Sequence, residues 1–119
     1  LSNIWGTTLD IVDRTGSLNK AQSIANDDGT YTYVISPTDP GVANWIDSDG
    51  LREGILTLRM AEFGPDGPTE DLGARGRVIK IDDLETQVPG LRRVSERERA
   101  TELAERRAAY LRRLPEGTN

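Results

Sequence analysis

The stretch Asp39-Pro40-Gly41-Val42-Ala43-Asn44-Trp45-Ile46-Asp47 interrupts a chain that otherwise alternates short apolar runs with turn residues. Pro40 fixes its own φ, and Gly41 can take the left-handed conformation that a type II turn needs. The tetrad Asn44-Trp45-Ile46-Asp47 then sets a large ring between two polar side chains. Pro37 and Pro40 end whatever strand comes before, so residues 37–50 read as a loop. A ring of this size in a loop closes one end of a β-rich core, or else stands open as a platform for a ligand.

Working outward, Thr30–Ser36 (Thr-Tyr-Thr-Tyr-Val-Ile-Ser) is dense in β-branched and aromatic residues and predicts a strand. Asn26-Asp27-Asp28-Gly29 is turn chemistry and makes this strand one arm of a hairpin with the weaker candidate Ser17–Ser23. Further upstream, Asn3–Arg14 carries Trp5, Thr7, Leu9 and Ile11 at period two, which predicts a strand with Trp5 in the core. Downstream, Glu53–Phe63 alternates Ile55, Thr57, Arg59 and Ala61 with Leu56, Leu58 and Met60. Gly64-Pro65-Asp66-Gly67-Pro68 is a loop, and Arg75–Ile81 again alternates as a strand. Short strands parted by turns, with no βαβ rhythm, predict a mainly β fold: an antiparallel β-sandwich of jelly-roll-like form.

Ile81-Asp82-Asp83-Leu84 can open a helical turn, and Pro89-Gly90 sets off the last element. Ser95 and Glu98 form a capping-box pattern that starts a helix running to Arg113. Its apolar stripe is Ala100, Leu103, Ala104, Leu111 and Leu114, with Tyr110 at the edge. The expected organisation is thus a β-sandwich domain over residues 1–90, with a C-terminal amphipathic helix and tail over 91–119 packed on it.

A chain of 119 residues has room for one domain. A net charge of −5 and a pI near 4.7 argue against nucleic-acid binding, which rests on neutralising phosphates. Arg106, Arg107, Arg112 and Arg113 are a local exception. The absence of cysteine and histidine excludes disulfides, thiolate nucleophiles and a Ser-His pair. Asp47-Ser48-Asp49-Gly50 looks like half a calcium loop, but Trp45 and Leu56 would fall on its first and twelfth positions. No metal or other cofactor is expected. No apolar run approaches the ~20 residues of a membrane span. Cytoplasm and periplasm remain equally compatible. The chain starts at Leu1 rather than Met, and we read it as a piece of something longer.

Asp39, Asn44, Trp45, Asp47 and Arg59 are the ligand-binding candidates, with the indole as a stacking surface for a small polar ligand. The alternative reading makes them structural, with Asn44 and Asp47 bonding loop amides and Arg59 neutralising an aspartate. No catalytic residue is assigned. Asp39, Asp47, Asp49 and Glu53 nevertheless lie close enough in sequence to allow a hydrolase-like pair of carboxylates. A third reading makes the C-terminal helix an assembly element, which leaves oligomer formation open.

One resemblance follows from these residues. Trp5, Ser17-Leu18-Asn19, Gln22, Asp28-Gly29-Thr30, the run Asp39-Pro40-Gly41-Val42-x-Asn44-Trp45-Ile46-Asp47, Gly50, Gly54 and Arg59 resemble the C-terminal domain of a bacterial family known as domain of unknown function 1214. That domain is often joined to domain of unknown function 1254. The likeness spans roughly residues 1–85. It departs at Met60, where the subgroup often carries Trp, and at Leu51, where His is frequent. The resemblance implies a jelly-roll-like sandwich at the C-terminus of a larger bacterial protein and implies no reaction. It makes the expected partner the rest of that protein or another subunit.

Overall fold

A computed structural model of the chain describes residues 1–61, 63–68 and 72–115. Its regular elements are few. Two three-residue strands, β1 (Val34–Ser36) and β2 (Trp45–Asp47), pair side by side, and two helices follow, α1 (Leu84–Gln87) and α2 (Glu96–Leu111). Single 3₁₀ turns lie at Lys20–Gln22 and Ile81–Asp83.

The expected antiparallel β-sandwich is not formed. β1 and β2 run parallel, with Val34 opposite Trp45, Ile35 opposite Ile46 and Ser36 opposite Asp47. The second strand comes from the segment read as a loop. The reason is local: Asn44 takes φ 59 and Gly41 takes φ 69, so the chain after Pro40 turns back and lays Trp45–Asp47 beside the strand it has just left. Of the strands expected from periodicity, only the end of Thr30–Ser36 belongs to the sheet. Asn3–Arg14 is instead a sequence of turns. Ser2 bridges Thr8, and Asn3 Oδ1 accepts the amides of Trp5 and Thr7 at 3.0 Å each. This Asx geometry, a side-chain substitute for a backbone turn, carries Trp5 outward, where it is 84% exposed. Ser17–Ser23 holds the Lys20–Gln22 turn, whose capping box joins Asn19 and Gln22. The expected strands Glu53–Phe63 and Arg75–Ile81 are not formed among the described residues: apart from the Ser2–Ile55 bridge and the 3₁₀ turn that takes Ile81, they carry no regular structure. Glu62 lies outside those residues.

The core sits where the sequence shows least periodicity. Every residue from Val42 to Ser48 is buried, with Thr15, Gly16, Ser36, Leu84 and Arg99 around them. Two flanking segments complete this centre. The Asp47 amide donates to Thr15 O at 3.2 Å, and the amides of Ala43 and Val94 close an antiparallel bridge between Gly41–Ala43 and Arg92–Val94. That bridge delivers the chain to the start of α2.

The helix begins one residue after Ser95, whose hydroxyl accepts the Glu98 amide while Glu98 Oε2 accepts the Ser95 amide at 2.8 Å. Its inward face differs from the expected apolar stripe. Arg99, Leu103, Arg106 and Tyr110 turn in, whereas Ala100, Ala104 and Leu111 stay exposed. Spacings of four, three and four residues put those inward positions on one face, as helical periodicity requires. The face thus alternates Leu103 and Tyr110 with guanidiniums, Arg99 bonding the Asp39 and Glu102 carboxylates and Val42 O, and Arg106 bonding Ile11 O and Ser17 O.

The chain remains open as a whole. Its accessible surface is 9625 Å², about half again the ~6,400 Å² expected for a compact protein of this mass. Its radius of gyration is 15.8 Å, against ~13.5 Å for a compact domain of this length. Among the described residues of the arm from 51 to 80, Leu56, Leu58, Met60, Phe63, Leu72 and Val78 are all exposed. No described helix is long and apolar enough to cross a membrane.

Candidate functional site

The loop singled out by sequence becomes a tightly bonded cluster. Asp39 starts it by accepting the Gly41 amide on Oδ1 at 2.8 Å, which fixes the turn at Pro40. Four residues on, Asn44 spends its whole side-chain amide on backbone. Its Oδ1 accepts from Ile24 N at 2.8 Å, and its Nδ2 donates to Ile24 O at 2.8 Å and Thr32 O at 3.0 Å. It thereby ties the segments on either side of the Asp28-Gly29 turn to the loop. Asparagine suits this place doubly, because it also tolerates positive φ better than most residues.

Trp45 is 8% exposed and donates its indole N–H to Ser36 O at 3.0 Å. The same carbonyl accepts the Ser48 amide at 3.1 Å, so both its lone pairs are used. Over the indole face lies the Arg99 guanidinium, 5.3 Å from the ring centroid, at cation–π distance. Arg99 is 4% exposed, and it is satisfied on all sides. Its Nε donates to Asp39 Oδ2 at 3.0 Å, its Nη2 to Val42 O at 2.5 Å, and its Nη1 to Glu102 Oε2 at 2.7 Å. A helix residue sixty positions downstream thus clamps the turn, the loop backbone and the ring together.

Asp47 closes the far end. Its Oδ2 accepts from Arg14 Nη1 at 3.1 Å and its Oδ1 from the Asp49 amide at 2.8 Å. Arg14 also reaches Asp49 Oδ1 at 3.1 Å. Two hydroxyls on neighbours of Asp47, Thr15 Oγ1 across its backbone bond and Ser48 Oγ next in the chain, are buried without a protein partner. Neither hydroxyl is hydrogen-bonded to a base that could activate it.

Of the five ligand candidates, the fold gathers Asp39, Asn44, Trp45 and Asp47 and leaves Arg59 apart. Arg59 stands exposed on the extended arm and makes no hydrogen bond or ion pair to the loop among the described residues. The cation that neutralises Asp47 is Arg14, and the one at Asp39 is Arg99. Sequence reading missed both. The alternation places Arg14 at the end of a strand, and Arg99, in the first turn of the helix between Glu98 and Ala100, carries no signal that marks it as a core residue. Glu53 is exposed and outside the cluster.

A shallow hollow of about 470 Å³ opens beside the loop, lined by Ala43, Asn44, Arg97, Thr101 and Glu105 among others. The Asn44 amide does not point a free donor into it, because all its bonds go to backbone. Among the described residues no group of three or more metal-ligating side chains comes together. Among the described residues, the carboxyls shifted from their usual range are all pulled down, none up. Asp10 is lowered by the amides of Asp13 and Val12, Asp28 by Thr30, Glu85 by Arg93, and Glu98 by the Ser95 amide. A general acid needs the opposite, a carboxyl raised by burial. Along α2, burial draws the Arg106 guanidinium down from its ordinary value while its Nε donates to Ile11 O and its Nη1 to Ser17 O.

Comparison with family models, curated proteins and solved structures found no match to this chain.

Proposed function

We propose that this chain is a non-catalytic accessory module of a larger bacterial protein, acting by docking to the rest of that protein or to another subunit. The supporting observation is the inward turn of the loop. Asp39, Asn44, Trp45 and Asp47 all bond to the chain itself, and Arg99 locks Asp39, the Val42 carbonyl and the Trp45 ring in one place. A binding site needs polar groups aimed outward with capacity to spare. Here that capacity is used, while a large apolar surface lies open on the arm. Kinship with domain of unknown function 1214 belongs to the same proposal and rests on the Asp39–Asp47 run and the scattered matches around it.

The hydrolase alternative lacks a supporting contact. Asp39 and Asp47 are each held by an arginine, and neither faces a second free carboxylate. The helix-assembly alternative changes in character, because α2 already supplies Arg99 to the core. Truncation after Gly90 would remove that residue, so a change in oligomeric state would report unfolding as readily as assembly.

A thermal-shift screen with monosaccharides, amino acids and small dicarboxylates on the wild type and on Trp45→Phe tests the proposal. The expected result is no dose-dependent shift in either protein. A saturable stabilisation of the wild type that disappears in Trp45→Phe would overturn the reading and restore the loop as a ligand site.

A further inference from the structure

We draw no further inference here: the strongest candidate, the open groove along one side of α2 whose two hollows share Gln22, Glu102 and Glu105 in their walls, carries nothing because Gln22 and Glu102 already bond within the chain to Asn19 and Arg99 and nothing in the structure shows what covers it.

Discussion

Residues 39–48 and residues 51–61 are neighbours in sequence and opposites in structure. In the first segment nearly every polar group has a partner, every side chain from Val42 to Ser48 is buried, and no apolar periodicity is visible. In the second the apolar alternation is regular and almost nothing is bonded or covered. Periodicity reports the capacity to bury a face, and burial itself needs a surface to receive it. The loop received its surface from Arg99, Thr15 and the Arg92–Val94 bridge. The arm finds none within the described chain.

Substitutions that strike the first segment should therefore be costly and those on the arm nearly free. Arg99→Met should have the largest effect. It keeps the packing stem but removes the guanidinium from Asp39, Val42 O and the Trp45 face. Because the Asp39 carboxylate is about a third exposed, the loss is discounted from that of a fully buried pair to about 2–3 kcal/mol in urea unfolding. A loss under about 0.5 kcal/mol would mean the clamp does not hold the core.

Asn44 allows a finer division. Asn44→Ala removes the three amide bonds and also forces alanine into positive φ, whereas Asn44→Gly removes the bonds alone. Alanine should be less stable than glycine by about 1 kcal/mol. Equal unfolding midpoints for the two would show that backbone strain is not what selects asparagine there.

Ser95→Ala comes next, at about 1 kcal/mol through loss of the helix cap, read from the helical circular dichroism melt. The partner in that cap, Glu98, sets a pH signature. Its carboxyl is pulled below its usual value of 4.5 by the Ser95 amide, and Asp10 and Asp28 lie below 3.8 for similar reasons. Each binds its proton more weakly folded than unfolded, so its contribution is complete above the unfolded value. It is lost as pH falls through the lower folded one. The melting temperature should hold flat from neutral pH and decline below about pH 4.5. Glu98→Gln, which preserves the cap without the charge, should shallow that decline. An identical acid slope in the variant would remove Glu98 as a contributor. Smallest of all, Leu58→Glu should change the isolated chain's stability by no more than about 0.5 kcal/mol, since the side chain is already half in water. A large loss would show that the arm packs on the core in solution.

Legibility from sequence followed the same divide. The cap at Ser95 and the turn at Asp28-Gly29 could be read directly, because each is a contact between residues a few positions apart. Gly29 takes φ 84 and its amide bonds back to Asn26 O, as the turn chemistry implies. The parallel pairing of Val34–Ser36 with Trp45–Asp47 could not be read, since two prolines and a glycine between them signal only a loop. Nor could the partners of the loop carboxylates. Arg14 reaches Asp47 across thirty-three positions and Arg99 reaches Asp39 across sixty. Chain order carries no information about such meetings. The antiparallel sandwich rests on alternation in Asn3–Arg14, Glu53–Phe63 and Arg75–Ile81, where the pattern is real and, among the described residues, the pairing goes no further than the bridges of Ser2 to Thr8 and Ile55. The helix face was legible only in part: Leu103 and Tyr110 turn in as the apolar spacing implies, while Ala100, Ala104 and Leu111 stay out and the remaining inward places go to Arg99 and Arg106.

The chain's two tryptophans mark this division optically. Trp45 lies buried with its N–H bound and a cation over its face, while Trp5 stands in solvent at the tip of a turn. Their emission should separate into a blue and a red component. Loss of the loop would move only the first, and a partner arriving near the N-terminal turn would move only the second. Replacing either ring singly thus turns the native fluorescence into a reporter of one event, with no dye attached.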